Sequence, residues 1–268
     1  MVLRQFKSAL ALLFVNTIIE FLPISSTAHS ILINRFLDTG TNLRLLLAIS
    51  QLAIDLVLCL HFRQIIWKII RDFFLDRETR SFCYSIVLTS LPFLAVGALF
   101  HGPIRKYLYS SGSIALFLII GGVFLIFTEN HLDKKKTLPL ELNSLEKIEP
   151  RDMYRIGLGQ MISILPGVSR SACTLGSALL LGLARDVAVD FSFFISIPVG
   201  IAGSLFDLLG EVGKVGVFDF YNFFGYLGIS IVFSLFFVER MLEFLKSRKL
   251  SIFGYYRIML GLITLLFF

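Results

Sequence analysis

Two apolar regions of this chain are each broken near the middle by Leu-Pro followed by a cluster of hydroxyls. The first region runs from Phe6 to Leu37 and carries Glu20-Phe21-Leu22-Pro23-Ile24-Ser25-Ser26-Thr27-Ala28-His29. The second runs from Ile156 to Leu183 and carries Leu165-Pro166-Gly167-Val168-Ser169-Arg170-Ser171-Ala172-Cys173-Thr174. Proline lacks a backbone donor and disfavours helix at the residue before it, so each region is expected to form a helix, a break and a second helix. Six continuous apolar runs accompany them: Leu43 to Phe62, Phe82 to Phe100, Ser113 to Thr128, Phe191 to Gly210, Phe220 to Val238 and Ile252 to Phe268. Such runs, recurring from end to end, describe a polytopic helical membrane protein. With 56% hydrophobic residues and only 16% charged ones, no segment is long and polar enough to form a soluble domain.

Irregular backbone at membrane depth survives only inside protein or beside a watery cavity. Both broken regions are therefore expected to be re-entrant hairpins. Each is followed by three runs; three is odd, so the second half enters the membrane inverted relative to the first. The expected architecture is all-α, with six transmembrane helices plus two re-entrant helical hairpins in an inverted repeat. It forms a single integral membrane domain over residues 1–268, with halves of about 1–128 and 151–268 and a polar linker over 129–150. Repeats of this kind place a site near the membrane midplane.

Charge supports the topology. Of the 25 Lys and Arg, 16 fall on the side of the Arg63 to Arg80 loop and 7 on the other, so the first side is expected to be cytoplasmic, with both termini outside. The net charge of +6 reflects these loops beside an anionic leaflet rather than nucleic acid binding. Arg4, Lys7 and the run from Ala9 to Ile19, followed by Ser26-Thr27-Ala28, imitate a signal peptide. Cleavage there would separate Glu20 from His29, so the segment is read as mature protein. Cys59, Cys83 and Cys173 have no metal-ligand spacing and read as small buried hydrophobes. Trp67 reads as an interface anchor, Asp55 with Gln51 one turn before it as a buried acid or a proton-path residue, and Arg257 as a side chain that snorkels to the interface.

Ionisable groups at membrane depth are costly and mark function by default. In the first break, Ser25, Ser26 and Thr27 can cap a helix whose backbone N–H groups attract an anion. Glu20 and His29 flank them and can supply acid–base chemistry or a metal ligand. In the second, Gly167 permits a tight turn, and Ser169, Ser171 and Thr174 surround Arg170, the side chain best suited to grip phosphate oxygens. Brought together, these groups suit hydrolysis of a phosphate ester or pyrophosphate in an oily setting.

Here the sequence resembles the undecaprenyl-diphosphate phosphatases, integral membrane enzymes tied to bacitracin resistance. The segments EFLPISSTAH (Glu20 to His29) and PGVSRSACT (Pro166 to Thr174) carry the resemblance. Gln160, Phe191-Ser192-Phe193, Ile197-Pro198 and Tyr256-Arg257 add to it, and it spans essentially the whole chain. It implies removal of the terminal phosphate from a polyprenyl diphosphate, giving the monophosphate carrier of cell-wall synthesis. It also implies a site open toward the outer face of the bacterial cytoplasmic membrane and a divalent cation, Mg²⁺ or Ca²⁺. By position, Glu20, Ser26, His29 and Arg170 would be catalytic, with Ser26 the first choice as nucleophile, activated by His29 or Glu20. Attack by His29 or by water stays open. Ser25, Thr27, Ser169, Arg170, Ser171 and Thr174 would bind the diphosphate, and Glu20 would bind the metal. The family has Glu or Gln four residues before that Glu; here the position is Asn16, shorter and never anionic, which weakens any metal held jointly. The implied partners are the lipid substrate and membrane lipids, with a homo-oligomer left open. A polyprenyl-phosphate transporter is the rival reading, since it needs the same grip without a nucleophile.

Overall fold

A computed structural model describes residues 2–37, 42–132, 145–212 and 217–267. Among the described residues the chain is all-helical, with no strand. In chain order the helices are α1 (Val2–Glu20), α2 (Ser26–Asn34), α3 (Leu43–His61), α4 (Arg63–Asp72), α5 (Arg77–Leu108), α6 (Ser111–Leu132), α7 (Pro150–Met161), α8 (Arg170–Leu180), α9 (Arg185–Val212), α10 (Val217–Ser247) and α11 (Leu250–Phe267). A 3₁₀ turn, Ile162–Ile164, follows α7. Five helices, α3, α5, α6, α9 and α11, are long and apolar enough to cross a membrane, so the protein is a polytopic membrane protein. The expected run from Phe220 to Val238 lies inside α10, a helix of 31 residues.

Both breaks fall where the prolines require them. The first helix stops at Glu20, a turn carries Pro23, and Ser25 starts α2. Leu165, before Pro166, is extended with ψ 130, and Ser169 starts α8. Gly167 adopts φ 103 in the intervening turn, a conformation that L side chains rarely take. The hairpins α1–α2 and α7–α8 are each followed by three long helices. Contacts between the halves come in exchangeable pairs: α3 packs on α9, α6 on α11, α5 on α7 as α10 does on α1, and α10 on α3 as α5 does on α9.

Three expectations change. The Arg63 to Arg80 loop contains α4, an amphipathic helix whose Ile65, Ile66 and Ile69 pack against the main apolar core while Trp67 is 65% exposed. The linker does not begin at residue 129, because α6 continues to Leu132 and buries Glu129. That carboxylate accepts hydrogen bonds from Arg185 Nη2, at 2.7 and 2.9 Å, and from the Leu250 amide at 2.7 Å. It thus ties the starts of α9 and α11 to the end of α6. The rest of the expected linker over 133–144 lies outside the described residues.

The third change is the largest. Arg257 does not snorkel; it is fully buried. It lies about two turns inside α11. Its Nη1 donates to the Pro23 carbonyl at 3.0 Å and its Nη2 to the Gly167 carbonyl at 2.8 Å. Longer bonds reach the carbonyls of Val168, Phe117 and Leu118. Gly121 of α6 makes the room, since a Cβ there would lie 2.0 Å from Arg257 Nη2. Gly121→Ala is therefore expected to lower thermal stability in detergent by about 1–3 kcal/mol, the usual cost of overpacking. Gly102→Ala, whose Cβ would meet nothing within 4 Å, is the control and should leave the melting curve in place.

Candidate active site

Each hairpin tip ends on a serine in the left-handed region. Ser25 has φ 71 and Ser169 has φ 63, and they are the only non-glycine residues with positive φ among those described. Such backbone costs on the order of 1–3 kcal/mol at each position. The return is a cap: Ser25 Oγ accepts from the Ala28 amide at 3.4 Å, and Ser169 Oγ from the Ala172 amide at 3.3 Å. The starts of α2 and α8 thereby face one cavity of ≈ 400 Å³. Its wall includes Asn16, Glu20, Ser25, Ser26 and Thr27 from the first half and Ser169, Arg170 and Ser171 from the second.

An ion pair joins the hairpin tips of the two halves across this cavity. Arg170 Nη2 donates to Glu20 Oε1 at 2.8 Å, spanning 150 positions of sequence, and both side chains remain partly exposed, at 17% and 15%. The other carboxylate oxygen, Glu20 Oε2, accepts a short hydrogen bond from Ser26 Oγ. Ser171 Oγ donates to the Leu22 carbonyl at 3.3 Å, and Ser169 and Ser171 share a hydroxyl contact at 3.2 Å. Thr174 lies behind the cavity, fully buried, with its hydroxyl on the Arg170 carbonyl at 3.1 Å and against Ser192 Oγ. It supports the start of α8 and is absent from the cavity wall.

The structure does not bring His29 to Ser26. The ring is absent from the cavity wall, with Nδ1 2.8 Å from the Ser25 carbonyl and Nε2 2.7 Å from Tyr256 Oη. A carbonyl only accepts, so Nδ1 carries the proton and Nε2 accepts from Tyr256. The two rings stack with an interplanar angle of 4°. With both nitrogens engaged, no lone pair is left for Ser26, and the carboxylate of Glu20 occupies that role geometrically. Asn16 is likewise engaged: its Nδ2 donates to Ser50 Oγ at 3.0 Å, and its Oδ1 accepts from Ser30 Oγ at 2.9 Å. The amide braces α1 against α2 and α3.

Asp55 is fully buried and pairs with Gln51, whose Nε2 lies 3.0 Å from both carboxylate oxygens. A Cβ on Gly200 of α9 would come within 2.2 Å of that carboxylate. Sequence reasoning missed the far end of the cavity, where α3 begins and α5 and α9 end. Asn42, Arg44, His101, Arg105, Tyr109 and Asp207 line it there. Arg44 and Asn42 both hold Glu211 at 2.9 Å, and His101 lies 3.9 Å from Asp207. The only sequence signal was the position of these residues at the ends of apolar runs.

Removing the Tyr256 hydroxyl leaves a buried acceptor on His29 without a donor. Tyr256→Phe is expected to cost about 1–3 kcal/mol of stability by thermal unfolding.

A family profile described as "Bacitracin resistance protein BacA" matches residues 9–263. Among curated relatives, the "Undecaprenyl-diphosphatase 1" of Burkholderia thailandensis is 31% identical over 96% of this chain and 94% of the relative. The "Undecaprenyl-diphosphatase 2" of Shewanella oneidensis is 31% identical over 97% of each chain. The "Undecaprenyl-diphosphatase 3" of Acinetobacter baylyi is 32% identical over 98% of this chain and 97% of the relative.

Proposed function

Because the chain belongs to the bacitracin-resistance protein BacA family, we infer that it hydrolyses undecaprenyl diphosphate to undecaprenyl phosphate and inorganic phosphate. The product is the lipid carrier of cell-wall synthesis, and its recovery underlies resistance to bacitracin. The observation that carries the reading is the row Ser26–Glu20–Arg170, built from both hairpins at the wall of one cavity. A transporter would need the grip of Arg170 but not a hydroxyl held against a carboxylate.

In the proposed reaction, Arg170 receives the diphosphate. It has five N–H donors, of which one nitrogen is engaged by Glu20, so the guanidinium retains donors for phosphate oxygens. The backbone N–H groups opening α2 and α8, with the hydroxyls of Thr27, Ser169 and Ser171, add neutral donors. Glu20 takes the proton of Ser26 Oγ as that oxygen attacks the terminal phosphorus. The bond from phosphorus to the bridging oxygen breaks, and the lipid monophosphate leaves. Glu20 passes that proton to the departing monophosphate, then takes one from the water that attacks phosphorus, and returns it to Ser26 Oγ as phosphate leaves. His29 is assigned to positioning, since it holds the first turn of α2 through the Ser25 carbonyl.

Beside the hairpin tips the ligating side chains at the wall are the Glu20 carboxylate and hydroxyls, an oxygen set that suits a hard cation, and one carboxylate there fits Mg²⁺ held largely by substrate phosphates. We assign Mg²⁺ or Ca²⁺ to Glu20 together with the diphosphate, where it would neutralise charge on the transferred phosphoryl group. Asn16 is left out of this set because its amide is engaged on both sides. The site is proposed to face the outer side of the bacterial cytoplasmic membrane, with the basic loops inside.

Phosphate release from undecaprenyl diphosphate by purified protein, with and without Mg²⁺ or Ca²⁺, tests the reading. Ser26→Ala and Arg170→Ala are each expected to lose about 10²–10³ in kcat, the usual effect of removing one polar group from such a site. Release from both variants at the wild-type rate would falsify it. Asn16→Glu is expected to leave the half-maximal Mg²⁺ concentration within about twofold and to lower stability, since it puts a charge against Ser30 and Ser50. A clear tightening of Mg²⁺ dependence would return Asn16 to the metal site.

A further inference from the structure

One wall of the cavity takes no part in the reaction above. The second half of α5 begins at Pro92, and from Leu91 to Leu108 none of its residues is buried, although the first half buries Phe82, Ser85, Thr89 and Ser90. One face of this half-helix carries Phe93, Gly97, His101 and Arg105 at four-residue spacing. Phe93, His101 and Arg105 line the cavity, so this wall changes from apolar to basic along its length.

The two edges of that wall differ. Against α9 it is closed by His101, whose ring meets Phe206 edge-on at 5.4 Å between centroids. Against the 3₁₀ turn it is thin. A Cβ on Gly97 would find one neighbour within 4 Å, Ile164 Cδ1 at 3.5 Å. Ile164 and Leu165 line the cavity from inside, while Ile162, 53% exposed, and Leu91 face outward. The seam is therefore about one side chain thick and apolar on both surfaces apart from Ser163, whose hydroxyl is turned to the Gln160 carbonyl at 2.6 Å. Leu165 and Pro166 connect it directly to Gly167 and Arg170.

We propose that the prenyl chain of the substrate leaves the cavity sideways through this seam, between α5 and the 3₁₀ turn. Phe93, Gly97 and Ile164 then set the preference for long prenyl chains. The proposal rests on the diphosphatase reading. A diphosphate held by Arg170 brings its apolar chain with it, and the cavity's other end is lined by Asn42, Arg44, His101, Arg105, Tyr109 and Asp207. A hydrocarbon chain gains nothing among those groups. The seam opens on side chains of bilayer character and has no charged group in it. Phosphate, by contrast, is suited to the polar end.

The test compares kcat/KM for undecaprenyl diphosphate and farnesyl diphosphate in wild type and Gly97→Leu. Leucine at 97 fills the seam, and the preference for the longer chain is expected to fall by about tenfold or more, the effect of shutting roughly two methylenes out of apolar contact. A second measurement needs no variant: an undecaprenyl diphosphate analogue with a photoreactive diazirine on its first isoprene units should label wild-type peptides containing Phe93 and Ile164. An unchanged chain-length ratio in folded Gly97→Leu, or label confined to α9, α10 and α11, overturns the seam and leaves the diphosphatase reading standing. Failure of wild type to release phosphate from either substrate removes that reading and the proposal with it.

Discussion

A single buried guanidinium holds the two hairpin tips in register. Breaking a helix inside a membrane leaves carbonyl groups with no partner, and each costs several kcal/mol in hydrocarbon. At these tips the carbonyls of Pro23, Gly167 and Val168 are in that position, and Arg257 supplies donors to all three. The same charge would be prohibitive without them. Arg257 is met by carbonyl dipoles at the tips and on α6, not by a carboxylate. The arrangement therefore stabilises the breaks without consuming Glu20, the carboxylate at the hairpin tips, which meets Arg170 and Ser26. Because one side chain touches both tips, the start of α2 and the start of α8 cannot drift apart. The meeting of Glu20 and Arg170 depends on that.

Counted from the two cap serines, the halves run parallel. Ser25 matches Ser169, Ser26 matches Arg170, His29 matches Cys173 and Ser30 matches Thr174. Helix packing repeats the correspondence, with α3 on α9 and α6 on α11 each joining equivalent members. The two tips share a backbone, down to the positive φ of the capping residue, and differ in chemistry at the next position. One tip presents a hydroxyl beside a carboxylate and the other a guanidinium. The two similar helix starts face one cavity, and the difference at that one position gives them, in the proposed reaction, different parts.

Much of this was legible in the sequence because its causes are local. Leu-Pro before hydroxyls fixes a break and a cap, and long apolar runs fix the spans. What was illegible depends on partners distant in sequence. Arg257 looked peripheral because the last apolar run seemed to begin at Ile252, while its site is made by Gly121, more than a hundred residues earlier. The family resemblance offered His29 or Glu20 as the partner of Ser26, and only Glu20 meets its hydroxyl. The Ser25 carbonyl and Tyr256 claim the His29 ring instead, and Tyr256 arrives from α11. The helix α4 was readable in principle: Ile65, Ile66 and Ile69 recur at helical spacing within a stretch whose charges suggested a loop.

The ion pair between Glu20 and Arg170 explains how such charges are tolerated at a site that must also open to substrate. A carboxylate and a guanidinium at membrane depth neutralise each other, and their partial exposure lowers the desolvation cost that a fully buried pair would carry. An arriving diphosphate offers Arg170 more negative charge than the carboxylate does. In the proposed reaction the guanidinium turns toward phosphate and frees Glu20 Oε1. The same contact thus offsets both charges and, in the proposed reaction, links diphosphate binding by Arg170 to the carboxylate that holds Ser26.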